Sequence, residues 1–172
     1  MASAHADSHD LDKLTRWREG LVAAELSHFP VFAVFLVGPE DRVAHDVFRE
    51  FRSSFEARNV PYENLVIFGQ HGASKTLHGL GSGLGISPSD IPLLALIFSV
   101  TTSTFYTLPL PKGSSGQETK GEPWLSVLRL VEAASDSDQN VLDLDLIKEV
   151  RPRSIQDGSM ESIMDKLLLQ LS

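Results

Sequence analysis

Cysteine is absent from this chain of 172 residues. A disulfide, a thiolate metal site and a cysteine nucleophile are therefore excluded. Basic residues are also few, because 15 lysines and arginines stand against 23 aspartates and glutamates, which gives a formal net charge of -8 at pH 7. Binding to a phosphate backbone requires a basic face, so we expect no nucleic acid among the partners.

Long apolar segments are lacking as well. No apolar run reaches the roughly 20 residues that a transmembrane helix requires, so we expect no membrane association. The first residues, MASAHADSHD, have neither the basic start nor the apolar centre of a secretory signal. A chain without cysteine is compatible with export but fits the cytoplasm, and we predict a cytoplasmic protein.

Apolar residues make up 42% of the chain, enough for one domain with a hydrophobic core. Two early strands separated by a helix are expected to be parallel, and a later hairpin to add antiparallel strands. The strand at 91–100 is apolar on both faces and is expected to be central. In chain order, the predicted elements are a helix capped by Asp10, a strand at 31–37, a helix from 41 to about 58, a strand at 64–68, a short helix around 74–80, strands at 91–100 and 101–110, a helix at 124–134 and a last helix capped by Ser159.

This element order resembles that of thioredoxin-like proteins, and two short motifs carry the resemblance. In that family a central strand ends in a Cys-Gly-Pro-Cys turn that begins a long helix, and Val37-Gly38-Pro39-Glu40 occupies that position here. The second motif is an Ile-Pro pair, with a cis proline, that enters a central strand beside the turn, and Ile91-Pro92 matches it. The resemblance covers about residues 10–134 and implies an α/β fold with three α/β/α layers and a mixed central sheet.

The resemblance also sets limits on function. Family members that exchange disulfides need a reactive thiolate at the start of the helix, and neither Val37 nor Glu40 supplies one. The chain is therefore expected to be redox-inactive, to use no cofactor and not to be an enzyme. Cysteine-free members bind other proteins, so the resemblance implies a protein-interaction, chaperone-like or assembly module whose partner is another protein.

Catalytic members of the family hold an extended polypeptide in a groove between the two motifs by backbone pairing. Transferred to this chain, the candidate binding groove consists of Val37, Gly38, Pro39, Glu40, Ile91 and Pro92. The same residues also suit a purely structural role, because a cis proline is a packing device. The sequence leaves both roles open.

A second interpretation comes from the residues after the second predicted strand. The segment NLVIFGQHGASKT at 64–76 places Gly69, Lys75 and Thr76 at three positions of the phosphate-binding motif G-x-x-x-x-G-K-[ST]. Ser74 stands where the second glycine of that motif lies, and its side chain hinders the close backbone approach of a phosphate. The alternative function is therefore a small P-loop-like nucleotide-binding protein.

The predicted organisation is a flexible N-terminus at 1–9, a thioredoxin-like domain at 10–134 and an acidic tail with an amphipathic C-terminal helix at 135–172. That helix either packs back on the domain or docks on a partner, including a second copy, which would give a homo-oligomer. The histidines and aspartates between positions 5 and 10 are interpreted as solvent-exposed, so no metal site is predicted. The apolar face of the last helix consists of Met160, Ile163, Met164, Leu167, Leu168 and Leu171.

Overall fold

The computed structural model describes residues 4–24, 31–59, 64–97, 103–112, 123–136, 144, 147–155 and 158–171. The helices are α1 (Ala4–Ala24), α2 (Arg42–Ala57), α3 (Lys75–Gly83), α4 (Pro123–Asp136) and α5 (Met160–Leu171). The strands are β1 (Phe32–Leu36), β2 (Leu65–Phe68), β3 (Leu93–Ile97), β4 (Thr104–Pro109) and β5 (Arg151–Ser154). A short 3₁₀ helix, Pro88–Asp90, precedes β3.

The strands form one mixed sheet in the order β2-β1-β3-β4-β5. β1 and β2 are parallel, whereas β3 is antiparallel to both of its neighbours, β1 and β4, and β5 is antiparallel to β4. The predicted parallel pair, the predicted hairpin and the central position of β3 are therefore confirmed. Every residue of β3 is buried, as a continuous apolar run predicts for a strand covered on both faces.

Alternate side chains of β1 enter two separate apolar cores, as expected for a strand that is covered on both faces. Phe32, Val34 and Leu36 pack with residues of α1, α3 and α5. Ala33 and Phe35 pack with residues of α2 and α4. The protein is thus an α/β fold with a five-stranded mixed sheet and, in the described ranges, five α-helices, an arrangement compatible with three α/β/α layers.

Helix α5 packs on the rest of the chain. Met160, Ile163, Met164 and Leu167 are buried in the core that also contains residues of α1 and α3. Gly79 allows α3 to approach α5 closely, because a Cβ atom at this position would lie 2.1 Å from Leu167 Cδ2. Most of the apolar face that a second copy would need is therefore covered from within the chain.

Two features differ from the sequence-based prediction. Asp10 does not cap a helix: it lies inside α1, which begins at Ala4, within the segment predicted to be flexible. Asp10 is buried there, and its carboxylate accepts hydrogen bonds from the turn after β2, which offset the cost of removing the charge from water. The sequence RPRS at 151–154 has no apolar alternation, and it forms β5 because it pairs with β4. Residues after 134 thus add a strand and a helix to the same sheet and core, while the domain boundaries themselves stay predictions.

Charged side chains hold α2 against α4. Arg58 donates from Nε and Nη2 to the two carboxylate oxygens of Asp136, at 2.9 and 3.2 Å. Glu132 accepts hydrogen bonds from Ser54 Oγ at 2.7 Å and from Arg129 Nη1 at 2.8 Å. Burial acts to raise the pKa of Glu132, but these two hydrogen bonds and the positive charges of Arg58 and Arg129 together lower it below its usual value of 4.5.

Glu132→Gln should therefore reduce stability in a pH-dependent way. A carboxylate with a lowered pKa in the folded protein contributes stability above its unfolded pKa and loses that contribution as the pH falls through the folded pKa. We expect E132Q to lower the free energy of unfolding by about 1 kcal/mol near neutral pH, and by less at about pH 3, in urea denaturation. Glu50→Gln, at an exposed position of α2, is the control and should change little. An equal loss for E132Q at both pH values would contradict the lowered pKa.

Candidate functional site

The turn after β1 is held by hydrogen bonds between its backbone and the first turn of α2. Asp41 N–H donates to Gly38 C=O at 3.2 Å, and Gly38 N–H donates to Asp41 Oδ2 at 2.9 Å. His45 Nε2 lies 3.0 Å from the same carbonyl oxygen, and Nε2 carries the proton because a carbonyl oxygen only accepts. Both backbone polar groups of Gly38 are thus used within the protein.

The carboxylates of Glu40 and Asp41 lie close to Gly38, so a side chain at this position would require Glu40 to move. A Cβ atom at this position would lie 2.6 Å from Glu40 Oε1 and 3.1 Å from Asp41 Oδ2. Pro39 and Glu40 are exposed, whereas Asp41 is buried and directly precedes α2, where negative charge is favourable. The turn therefore presents a proline ring and a carboxylate to solvent, and it offers no nucleophile.

The Ile-Pro motif lies beside this turn. β1 and β3 pair with Leu36 opposite Leu93, so Val37 and Pro92, the next residues in that register, are neighbours at the same end of the sheet. The Ile91–Pro92 peptide bond is cis, the form that the resemblance implies. The two motifs, far apart in sequence, are therefore adjacent in the fold.

Only part of the predicted groove reaches the surface. Val37 and Pro92 are buried and contribute to packing. The exposed or partly exposed members are Gly38, Pro39, Glu40 and Ile91, which we call the turn surface. Ile91 N–H donates to Pro88 C=O at 3.3 Å, so an incoming strand would find this backbone donor already in use.

The predicted phosphate-binding loop follows β2, and its donors face the protein's own carboxylates. Gly69 N–H donates to Asp10 Oδ2 at 2.9 Å, and Ser74 Oγ donates to the same oxygen at 2.6 Å. Lys75 N–H, at the start of α3, donates to Asp7 Oδ1 at 2.9 Å. A phosphate bound at this helix amino end would have to displace two carboxylates of α1.

The three residues that match the phosphate-binding motif do not face a common space. Gly69 and Thr76 are buried, whereas Lys75 is exposed. Gly69 has a φ of +89°, and a Cβ atom there would lie 1.9 Å from Val37 O. The close approach of the end of β1 therefore explains this glycine without a phosphate. Ser74, in place of the second glycine, caps the short helix α3.

The sequence prediction missed Asp10 as the centre of this polar cluster. The helical spacing could have indicated its burial, because Asp10 lies on the same face of α1 as the apolar residues Leu14 and Trp17. A carboxylate on a buried face requires donors within reach. Asp10 is 1% exposed, and Lys13 Nζ lies 3.9 Å from its Oδ1 while donating to Ile67 C=O at 2.9 Å. Burial lowers the pKa of Lys13, and the charge of Asp10 opposes this shift.

Neither a metal cluster nor a membrane span occurs in the described ranges. No group of three His, Asp or Glu side chains among these residues is placed to hold a metal ion. Likewise, none of the described helices combines the length and the apolar content needed to cross a bilayer.

Comparison of the chain with protein-family models, with curated proteins and with solved structures finds no match. Any inference about the function of the chain therefore rests on its own residues and geometry.

Asp10→Asn should destabilise the fold. The substitution removes the buried negative charge and places an NH₂ group, or a weaker neutral acceptor, against Gly69 N–H and Ser74 Oγ. We expect the free energy of unfolding to fall by about 2–3 kcal/mol in urea denaturation. Asp12→Asn, whose exposed carboxylate pairs with exposed Arg16, is the control and should cost at most about 0.5 kcal/mol. Equal losses in the two variants would show that the buried cluster contributes little.

Gly69→Ala should be more damaging than the same change within α3. The new Cβ meets the backbone oxygen of Val37 at a residue that also has a positive φ. We expect a loss of about 3 kcal/mol or more, measured as a lower unfolding midpoint. Gly81→Ala is the matched control, because its Cβ would have Ile86 O as its nearest neighbour, at 3.4 Å, and alanine favours a helix. A Gly69→Ala variant as stable as Gly81→Ala would contradict the close approach of β1.

Proposed function

We propose that this chain is a thioredoxin-like domain without thiol chemistry that binds an extended segment of another protein, as an interaction, chaperone-like or assembly module. The observation that carries the proposal is the placement of the Gly38-Pro39 turn, just before α2, beside Pro92 at the start of β3. The strand order β2-β1-β3-β4, with β1 and β2 parallel and the other pairs antiparallel, supports the same resemblance. Without cysteine, such a surface can bind a polypeptide but cannot exchange disulfides.

The turn surface favours recognition through side chains. Ile91 N–H and both backbone groups of Gly38 are already hydrogen-bonded within the protein, so these three groups are not available to pair with an incoming strand. A bound segment would instead meet the exposed Pro39 ring, the partly exposed Ile91 side chain and the exposed Glu40 carboxylate. The partner segment is therefore expected to combine apolar residues with a lysine or arginine.

Selection of short unstructured peptides from a displayed library against the immobilised protein tests this proposal. Selected peptides should carry a basic residue near an apolar one, and their affinity should be measured by fluorescence anisotropy. Glu40→Lys reverses the charge of the turn surface and should weaken binding about tenfold. Pro39→Glu, which replaces the exposed ring by a charge, should also weaken it.

Glu50→Lys is the matched control, because it makes the same charge change at an exposed position within α2. It should leave the affinity nearly unchanged. Selected peptides that bind wild type, E40K and P39E equally well would place the binding site elsewhere and remove the turn surface from the proposal.

No observation favours the nucleotide-binding alternative. The backbone donors at Gly69 and Lys75 face Asp10 and Asp7, and the negative charge of these carboxylates would repel a phosphate. Its test remains simple: magnesium and ATP or GTP should raise the unfolding midpoint in a way that Lys75→Ala removes, if a nucleotide binds there.

A further inference from the structure

A cavity of about 570 Å³ lies between the carboxyl end of α3, the strand β5 and the helix α5. This volume is within the range of small-molecule binding sites, roughly 300–1,000 Å³. Glycine keeps one side of it open, because no atom lies within 4 Å of a Cβ placed on Gly85. The turn surface contributes no residue to this cavity.

The charged side chains in the described lining of the cavity are cationic. Arg153 and Lys166 line it, and the described lining residues include no carboxylate, although the chain as a whole has a net charge of -8. The two described acidic residues of α5 are engaged elsewhere: Glu161 and Asp165 lie 3.5 and 2.9 Å from the guanidinium of Arg18 on α1. Helix α5 thus directs its carboxylates to α1, and its lysine borders the cavity.

Arg153 is fixed in place by its own hydrogen bonds. Its Nε donates to Thr107 Oγ1 at 3.1 Å, and its Nη1 donates to Gly85 C=O at 3.4 Å. Asp90 Oδ2, at 3.9 Å from Nη2, offsets part of its charge. The cavity lining therefore contains two cations, Lys166 and Arg153, of which Arg153 is oriented by hydrogen bonds and partly offset by Asp90.

The rest of the lining combines apolar side chains, glycines, serine hydroxyls and the amide of Gln170. The buried apolar members are Leu84, Ile155, Ile163 and Leu167. Ser82 and Ser154 add hydroxyl groups. Apolar walls with a few convergent polar groups are typical of sites that bind a small molecule by its apolar body and orient it by its polar end.

We propose that this cavity binds a small amphipathic organic anion, with its carboxylate or sulfonate group beside Lys166 and Arg153 and its apolar body against Leu84, Ile155 and Leu167. The two lining cations select the anionic group, and the apolar walls select a hydrocarbon or aromatic body. No residue of the turn surface lines this cavity, so ligand binding here and peptide binding at the turn surface can be tested independently.

Anilinonaphthalene sulfonate is a suitable probe, because it joins an aromatic body to one negative charge and becomes fluorescent in apolar surroundings. Titration of the natively folded protein should show saturable binding. Lys166→Met, which keeps most of the length of the side chain and removes its charge, should weaken binding about fivefold. Lys148→Met makes the same change at an exposed lysine outside the cavity lining and should leave binding unchanged.

A second pair of variants tests the location by volume. Ser82 is exposed on α3 and lines the cavity, so Ser82→Trp should fill part of the space and weaken probe binding several-fold. Ser53→Trp, at an exposed position of α2, is the control for adding an aromatic surface. Circular dichroism and the unfolding midpoint should show that all four variants are folded, and a variant that is not folded is replaced by Gln170→Trp, also at the cavity lining.

Competition identifies the chemistry of the ligand. Dodecanoate should displace the probe, whereas dodecanol, with the same chain and no charge, should displace it far less. Probe affinity that is unaffected by Lys166→Met and by the cavity-filling variant would overturn the proposal. Equal competition by dodecanoate and dodecanol would also overturn it, because the cavity would then not select an anion.

Discussion

The buried carboxylate of Asp10 joins α1 to the turn between β2 and α3, and the rest of the arrangement depends on that junction. Its Oδ2 accepts hydrogen bonds from Gly69 N–H and Ser74 Oγ. Ser74 in turn caps α3, so one carboxylate sets the position of two helices on the same face of the sheet. Gly69 also lies against the backbone oxygen of Val37, the residue after which the Gly38-Pro39 turn begins. The turn surface therefore owes its position partly to a carboxylate in the first helix.

The same junction explains why a sequence that partly matches a phosphate-binding motif is poorly suited to bind phosphate. The amino end of α3 has the backbone donors that attract anions, but α1 brings Asp7 and Asp10 to them. The protein supplies its own anions at this site. In the cavity beside α5 the distribution of charge is reversed, since the carboxylates of α5 pair with Arg18 and its lysine borders an empty space. The amino end of α3 is thus occupied by carboxylates of the protein itself, whereas the cavity at its carboxyl end is bordered by positive charge.

Much of the fold could be predicted from local patterns. The continuous apolar sequences of β1 and β3 indicate strands covered on both faces, and the spacing of Ala44, Val47, Phe51 and Phe55 indicates a helix covered on one face. β5 left no such signal, because the sequence RPRS gains its structure by pairing with β4 and its side chains are mostly exposed. Of the candidate groove, the two motifs could be identified from sequence, but the burial of Val37 and Pro92 could not, since it depends on how elements far apart in the chain pack together.

The sequence by itself determined that no thiol chemistry takes place and where the strands β1 to β4 lie, because composition and periodicity are properties of the chain alone. The tertiary structure decided which carboxylates meet the amino end of α3, which residues of the two motif segments reach solvent, and that Arg153 and Lys166 share one cavity. These are contacts between residues far apart in the chain, and no local pattern records them, because a side chain's partner is set by the packing of whole elements and not by its neighbours in sequence.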